Sequence, residues 1–369
     1  MRHLYIHVPF CVRRCSYCDF AIAVRPNVPS RRFVEAVLQE WGAWQKHPVL
    51  GAASEVRTLY FGGGTPSRLD PGGIAALVDG LTRPRPMAPG AEVTLEANPD
   101  DVTPDAAAAW RAAGVNRISL GVQSFDPSVL RWMHRTHTAE QVGPAMETVR
   151  AAGIEDISLD LIFGLPDALG RDWERDLDLA FALGPAHLSL YGLTVEDHTP
   201  LGRWAMRGDV IPVDEERYAA EFLAAGRALA REGFEHYEIS NAARPGRRAR
   251  HNSAYWRRAP FIGLGPSAHS GFDGRRQWNL RDWSAYERAS AEGRSVVAGG
   301  EELSGEAMEL EEVYLGLRTV EGLPAGRLPP GTVSQWCDAG WARTSPGRVR
   351  LTPEGWLRLD ALVASATTA

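Results

Sequence analysis

The sequence lacks the features that mark membrane, secreted and nucleic-acid-binding proteins. Its 369 residues contain no signal peptide and no apolar run long enough to cross a membrane. No acidic or basic tail stands out, and the formal net charge is −6 with a pI of about 6.0, so nucleic acid is not favoured as a partner. There is no internal repeat or low-complexity tract. We therefore expect a cytoplasmic protein whose thiols stay reduced.

Cysteine is scarce and unevenly distributed. Three of the four cysteines, Cys11, Cys15 and Cys18, fall in one short stretch with the spacing C-x3-C-x2-C. Their odd number argues against a disulfide framework, and their thiolates suit zinc or an iron–sulfur cluster. A zinc site needs a fourth ligand nearby, whereas Cys337 is far along the chain. Three thiolates on a four-iron cluster leave one iron open to another ligand, which favours a reactive site over a purely structural one. The alternative is a zinc knuckle.

Short apolar runs alternate with helical patterns through about the first half of the chain. This alternation predicts βαβ units and a parallel sheet, in which functional residues gather at the carboxyl ends of strands. We expect Ser30 to cap the first helix and Asp214 a later one. The predicted strands are Leu4 to Val8, Val56 to Phe61, Val93 to Glu96, Ile118 to Val122, Ile157 to Ile162 and Leu188 to Leu193.

Polar and glycine-rich motifs occur where these strands end. Gly62-Gly63-Gly64-Thr65-Pro66 follows the second strand, and glycines let the backbone approach a ligand closely. Glu96 ends the third strand, where its carboxylate can accept hydrogen bonds from ribose hydroxyls. Gln123 follows the fourth strand and Asp160 lies in the fifth. Taken singly, each is more often a satisfied polar group at a strand end than a ligand.

The cysteine spacing, with Tyr17 before the third cysteine and the GGGTP segment after strand two, resembles the radical S-adenosylmethionine (SAM) superfamily. The resemblance implies an α/β fold with a partial (β/α)6 barrel, a 4Fe–4S cluster held by the three cysteines, and SAM at the open iron. It covers nearly the whole chain for one branch, the coproporphyrinogen dehydrogenases and heme chaperones. Two further positions, Thr194 and His269, align less closely. The residues that the resemblance places against SAM or the cluster are Tyr5, Tyr17, Gly63, Gly64, Thr65, Glu96, Gln123, Arg135 and Asp160.

Three sequence features bear on which group of this branch, the dehydrogenases or the heme chaperones, the chain resembles more. The dehydrogenases carry a fourth cysteine where this chain has Phe20, and they have a long N-terminal extension, whereas only four residues precede Tyr5. His251-Asn252-Ser253-Ala254-Tyr255-Trp256 matches an H-N-x-x-Y-W motif of the heme chaperones. Neutral imidazole is a good axial ligand for heme iron, and Tyr and Trp offer flat faces to a porphyrin. His251 is therefore a candidate heme ligand; the alternative is a histidine packed beside two core aromatics.

We predict a barrel over residues 1–194, an added α+β segment with the H-N-x-x-Y-W motif over 195–300, and a winged-helix-like domain over 301–369. We interpret Cys337 as a structural residue, because free cysteines are commonly buried as small hydrophobic side chains. The favoured function is a heme chaperone that binds a 4Fe–4S cluster, SAM and heme and passes heme to an acceptor hemoprotein. It would be a monomer or dimer and would meet a membrane only through its acceptor. The alternatives are oxygen-independent coproporphyrinogen III oxidation and a radical SAM reaction on another substrate.

Overall fold

A mixed sheet of twelve strands dominates the computed structural model, which describes residues 2–50 and 55–367. The strands are β1 His3–Val8, β2 Phe10–Cys11, β3 Ala23–Val24, β4 Val56–Gly63, β5 Met87–Ala97, β6 Arg117–Gln123, β7 Asp156–Phe163, β8 His187–Gly192, β9 Glu235–Glu238, β10 Asn241–Ala243, β11 Phe261–Leu264, β12 His269–Phe272, β13 Arg275–Asn279, β14 Val297–Glu302, β15 Leu323–Pro324, β16 Ala342–Ser345 and β17 Arg348–Leu351.

Helices connect and cover these strands. They are α1 Ser30–Trp44, α2 Pro71–Thr82, α3 Pro104–Ala112, α4 Pro127–Trp132, α5 Val142–Ala151, α6 Trp173–Ala182, α7 Pro200–Met206, α8 Glu215–Arg231, α9 Arg250–Trp256, α10 Trp283–Ala291, α11 Gly305–Leu317, α12 Thr332–Asp338, α13 Pro353–Trp356 and α14 Leu359–Thr367. In the described part of the chain, no helix combines the length and apolar character needed to span a membrane.

The six predicted strands are confirmed as β1, β4, β5, β6, β7 and β8, which pair in that order and in parallel. Most side chains of β6 and β7 are buried, as expected for parallel strands covered by helices on both faces. The main difference is the start of β5, which begins at Met87 and not at Val93. Pro89 and Gly90 conceal this extension in the sequence, because both residues are unfavourable in strands.

Of the two helix caps predicted from the sequence, one is confirmed. Asp214 caps α8 by accepting a hydrogen bond from a backbone N–H of the first turn, and Thr103 caps α3 in the same way. The prediction for Ser30 is wrong: α1 begins at Ser30 itself, and Pro29 occupies the capping position. The Ser30 hydroxyl instead accepts a hydrogen bond from the backbone N–H of Asp70, 3.0 Å away. It therefore joins α1 to the start of α2.

The segment 195–300 adds strands to both edges of the parallel core. Strands β10 and β9 extend the sheet antiparallel beyond β8. On the other edge β11 lies parallel to β1, and β12, β13 and β14 continue antiparallel. Helix α9, which carries the H-N-x-x-Y-W motif, immediately precedes β11. The motif is thereby brought against the first strand of the barrel.

The C-terminal segment contains a three-stranded sheet in the order β15-β17-β16, flanked by helices α11 to α14. Val313 and Leu317 of α11 are buried and join one hydrophobic core with Trp356 and the barrel side chains. Helices α13 and α14 are separated by Leu357 and Arg358. Cys337 is a free, partly buried cysteine in α12.

Candidate functional site

A cavity of about 420 Å³ opens at the carboxyl ends of the parallel strands. The three cysteines and Tyr17 reach it from the segment after β1, and the other residues come from β4 to β8 or the segments that follow these strands. The predicted residues that line it are Cys11, Cys15, Cys18, Tyr17, Gly63, Gly64, Thr65, Glu96, Gln123, Arg135 and Asp160, together with Thr194. Residues from Cys11 to Thr194 are thus gathered at one end of the sheet, where the topology predicts them.

Backbone hydrogen bonds hold the cysteine loop at both of its ends and in the middle. Strands β2 and β3 pair in parallel, so Cys11 lies beside Val24. In the middle, the N–H of Ser16 donates to the carbonyl of Met133 at the end of α4 (3.2 Å). The Ser16 carbonyl accepts from the N–H of Leu201 in α7 (2.8 Å). The loop is therefore anchored to two helices that follow the barrel strands.

Two polar side chains contact the thiols. Thr65 Oγ1 donates to Cys11 Sγ at 3.4 Å, and Arg135 Nη1 lies 3.6 Å from Cys15 Sγ. Burial raises the pKa of Cys11 and raises that of Cys18 to about 12, so both thiols keep their protons until a metal displaces them. In residues 2–50 and 55–367, no three His, Cys, Asp or Glu side chains converge on a position for a single metal ion.

The glycine segment after β4 passes close to the cysteine loop. Gly63 has a φ of +113°, a conformation that side chains other than glycine rarely adopt. A Cβ atom on Gly64 would lie 2.8 Å from the Pro9 backbone and 3.0 Å from Cys11 Sγ. The N–H of Gly64 donates to the carbonyl of Val8 at 2.8 Å, which fixes this approach. Only glycine at both positions leaves backbone exposed beside the cysteines.

Two partly buried carboxylic acids face the same cavity. Glu96 accepts hydrogen bonds from the Tyr60 hydroxyl (2.7 Å) and the Gly63 N–H (3.1 Å). Asp160 accepts from the Ser119 hydroxyl at 2.9 Å. Burial raises the pKa of Glu96 to about 7, with a further contribution from Asp160, and burial also raises the pKa of Asp160. Each group can therefore accept hydrogen bonds as a carboxylate and donate one when it is protonated.

Arg135 is partly buried and lines the same cavity. Its Nη2 donates to Asn98 Oδ1 and to the Gly121 carbonyl, each at 2.6 Å. Its Nε is buried and has no hydrogen-bond partner among the described residues. Gln123, at the end of β6, adopts a φ of +68°, which is rare for a residue with a side chain. Strain and an unpaired buried donor are both typical of sites that a ligand completes.

Three predicted residues lie outside this cavity, and one of them, His269, lines the second cavity described below. Tyr5 lines a second cavity, where its hydroxyl is 3.1 Å from His7 Nδ1. His251 is 1% exposed and lines neither cavity. Its Nδ1 is 2.7 Å from Thr58 Oγ1 and its Nε2 is 2.8 Å from the Tyr255 hydroxyl. Both ring nitrogens are thus engaged, and iron ligation by His251 would require one of them to give up its partner.

The second cavity, of about 780 Å³, adjoins the first. Both are lined by Asp19, Phe20, Gly63 and Glu96, so these residues form a shared wall. Phe20 is 57% exposed, which is unusual for a large apolar side chain. The residue that stands in place of a fourth cysteine therefore lies between the two cavities.

The sequence analysis does not identify two residues of the first cavity. Asn98 and Tyr191 also line the first cavity. Asn98 follows Glu96 by two positions and comes directly after a strand, a signal that could have identified it. Tyr191 lies at the end of β8, where the strand-end rule also applies.

Comparisons with known proteins agree with this geometry. The profile of the radical SAM superfamily matches residues 5–180. The heme chaperone HemW of a Synechocystis species is 37% identical over 333 residues, covering 88% of this chain and 80% of the relative. HemW of Bacillus subtilis is 31% identical over 369 residues, covering 97% of both chains.

The chain belongs to the HemW family of the radical SAM superfamily. Among solved structures, coproporphyrinogen III oxidase HemN from Escherichia coli superposes with a TM-score of 0.82, covering 99% of this chain and 90% of that chain at 21% identity. This likeness confirms the fold. Membership of the radical SAM superfamily implies a 4Fe–4S cluster and SAM. The residues fit these groups: three cysteines face one cavity beside exposed glycine backbone, and the buried Nε of Arg135 has no hydrogen-bond partner among the described residues.

Proposed function

We propose that this member of the HemW family is a heme chaperone that binds a 4Fe–4S cluster, SAM and heme, and transfers heme to an acceptor hemoprotein. The observation that carries the proposal is the 37% identity to a heme chaperone over 88% of this chain. The cavity beside the cysteine site supports it, because a chaperone needs room for its cargo next to the cofactors.

The cluster and SAM occupy the first cavity in this proposal. Cys11, Cys15 and Cys18 hold the cluster, which would supply an electron to SAM at its open iron. The backbone at Gly63 and Gly64 faces the methionyl end of SAM. Glu96 faces the ribose, and Arg135 stays beside the cysteines through its contact with Cys15. Asp160 and Gln123 complete the wall opposite the cysteine loop.

Replacing Glu96 with alanine is expected to weaken SAM binding at least about tenfold, because it removes two charge-assisted hydrogen bonds worth roughly 1.5–3 kcal/mol each. The cluster should survive, since Glu96 does not touch the cysteines. SAM affinity can be measured by calorimetry on anaerobically reconstituted protein. Glu92→Gln is the matched control, because Glu92 is buried on the same strand but outside the cavity. Equal SAM affinity in Glu96→Ala and wild type would contradict the ribose assignment.

The heme part of the proposal is tested by supplying heme and, separately, coproporphyrinogen III. With hemin, the reconstituted protein is expected to develop a Soret band and then to pass heme to an apo-hemoprotein. With SAM, a reductant and coproporphyrinogen III under anaerobic conditions, no protoporphyrinogen IX should form, because Phe20 replaces the fourth cysteine of the dehydrogenases. Sustained turnover of coproporphyrinogen III would overthrow the chaperone proposal, and so would the absence of any heme binding.

A further inference from the structure

The second cavity offers flat apolar walls of the kind that bind a macrocycle. It lies between the hairpin of β12 and β13, helix α9 and helix α11. Its volume of about 780 Å³ falls within the range of small-molecule sites, which is roughly 300–1,000 Å³. The aromatic side chains that line it include Phe20, Tyr255, Trp256, Phe261, Phe272 and Trp278. The Tyr and Trp of the H-N-x-x-Y-W motif therefore face this cavity, although the histidine of the motif does not.

His269 is the one histidine of this cavity that has free ring nitrogens in the described part of the chain. It lies on β12, where its side chain is exposed and its ring is 5.8 Å from that of its cross-strand partner Trp278. No described residue hydrogen-bonds either ring nitrogen. His7, which also lines the cavity, has Nε2 bound to the Ala21 carbonyl (2.9 Å) and Nδ1 bound to Tyr5.

The backbone around His269 is held firmly by buried hydrogen bonds. The next residue, Ser270, is 2% exposed, and its hydroxyl accepts from the N–H of Gly263 at 3.0 Å. The turn before His269 is fixed by Glu40 of α1, which accepts from the N–H of Gly265 at 2.9 Å. The imidazole is therefore presented to the cavity from a fixed strand, the arrangement that a metal ligand requires.

One arginine of this cavity has no carboxylate partner among the described residues. Arg281 donates to the backbone carbonyl of Asp19 at 3.2 Å and forms no ion pair with a carboxylate among the described residues. Arg276, in contrast, is paired with Glu301 and Glu311. An unpaired guanidinium can take up a carboxylate of a ligand. Partial burial and Arg276 lower the pKa of His269, which keeps its imidazole neutral and able to bind iron.

We propose that heme is held in this second cavity with His269 as its axial iron ligand and with Arg281 against a propionate. This inference rests on the proposed function, since it names the site of the cargo. It gives His251 a supporting role, because the Nε2 contact of His251 positions the hydroxyl of Tyr255, whose ring lines the cavity. Heme in this position would lie next to the SAM cavity, with Phe20 between them.

The test is hemin titration of the full-length, cluster-reconstituted chain and its variants, followed by absorbance. His269→Ala is expected to shift the Soret band and weaken heme affinity at least about tenfold, because loss even of a residue that only supports a metal ligand commonly costs about 10–100-fold. Added imidazole should restore the wild-type Soret position by filling the vacated iron site. Arg281→Ala should lower the affinity and leave the Soret position unchanged. SAM affinity should stay the same in both variants.

His198→Ala is the control, because His198 is exposed and lines neither cavity. A His269→Ala protein with the wild-type Soret band and affinity would overturn this inference and leave the chaperone proposal standing. Loss of the Soret band in His251→Ala with rescue by imidazole would overturn it in favour of His251. If wild-type protein binds no heme, the proposed function itself fails. A variant that has lost its fold is recognised because it also loses the iron–sulfur absorption, and His269→Gln then replaces it in the same titration.

Discussion

Replacement of Cys11, Cys15 or Cys18 with alanine is expected to abolish the broad iron–sulfur absorption of the reconstituted protein. Wild type should bind about four irons per chain, and each single variant should lose the cluster. The physical reason is that each cysteine would hold a different iron in the proposed site, and the described cavity contains no other cysteine that could replace it. Iron content and absorbance after anaerobic reconstitution measure the result.

Cys337→Ala is the matched control for this experiment. Cys337 is a free cysteine like the other three, but it lies in α12 and outside the cavity. Its replacement should leave both iron content and absorbance unchanged. If Cys337→Ala lost the cluster, or if a Cys15→Ala protein kept four irons, the assignment of three cluster ligands would be wrong.

The sequence predicts the barrel and most of the first cavity because both depend on local signals. Apolar runs identify buried parallel strands, and the carboxyl ends of such strands meet at one edge of the sheet. Gly63, Glu96 and Asp160 could therefore be placed together without a structure. Arg135 lies twelve positions after Gln123, beyond α4, and the family resemblance alone brought it to the site.

The second cavity could not be predicted, because long-range pairing builds it. Strand β11 must lie beside β1, more than 250 residues earlier in the chain, before β12 can present His269. The burial of His251 has the same origin. Its partner Thr58 is 193 positions away, so the sequence near the H-N-x-x-Y-W motif does not indicate that the His251 ring is already hydrogen-bonded. Aromatic residues and a histidine in one motif indicate a heme site without showing which histidine faces it.

A buried carboxylic acid in α1 holds this second region to the barrel. Glu40 is 6% exposed. Its Oε2 accepts from the Gly265 N–H (2.9 Å) and the Tyr286 hydroxyl (2.6 Å), and its Oε1 accepts from Asn279 Nδ2 (2.7 Å). Asn279 also donates to the Gly265 carbonyl at 2.9 Å. One side chain thus fixes the turn after β11, the end of β13 and helix α10.

Glu40→Ala is expected to lower the free energy of unfolding by about 3 kcal/mol, because it leaves several buried donors without an acceptor and each costs roughly 1–3 kcal/mol. Urea unfolding measures the change. The matched control is Glu35→Ala on the same helix. Glu35 is largely exposed and pairs with Arg31 on the helix surface, so its loss should cost no more than about 0.5 kcal/mol.

Glu40 should also make stability depend on pH, in a direction that its environment fixes. Burial raises the pKa of Glu40 from 4.5 to about 7 in the folded chain. Folding therefore favours the protonated acid, so the stabilisation is complete below the unfolded pKa and is lost as pH rises through the folded one. As the pH rises from 5 to 7, wild type should therefore lose unfolding free energy relative to Glu40→Gln. The difference should level off above pH 7. A difference that stays constant across this range would show that Glu40 is ionised throughout, and a wild type that gains stability relative to Glu40→Gln with rising pH would reverse the assignment.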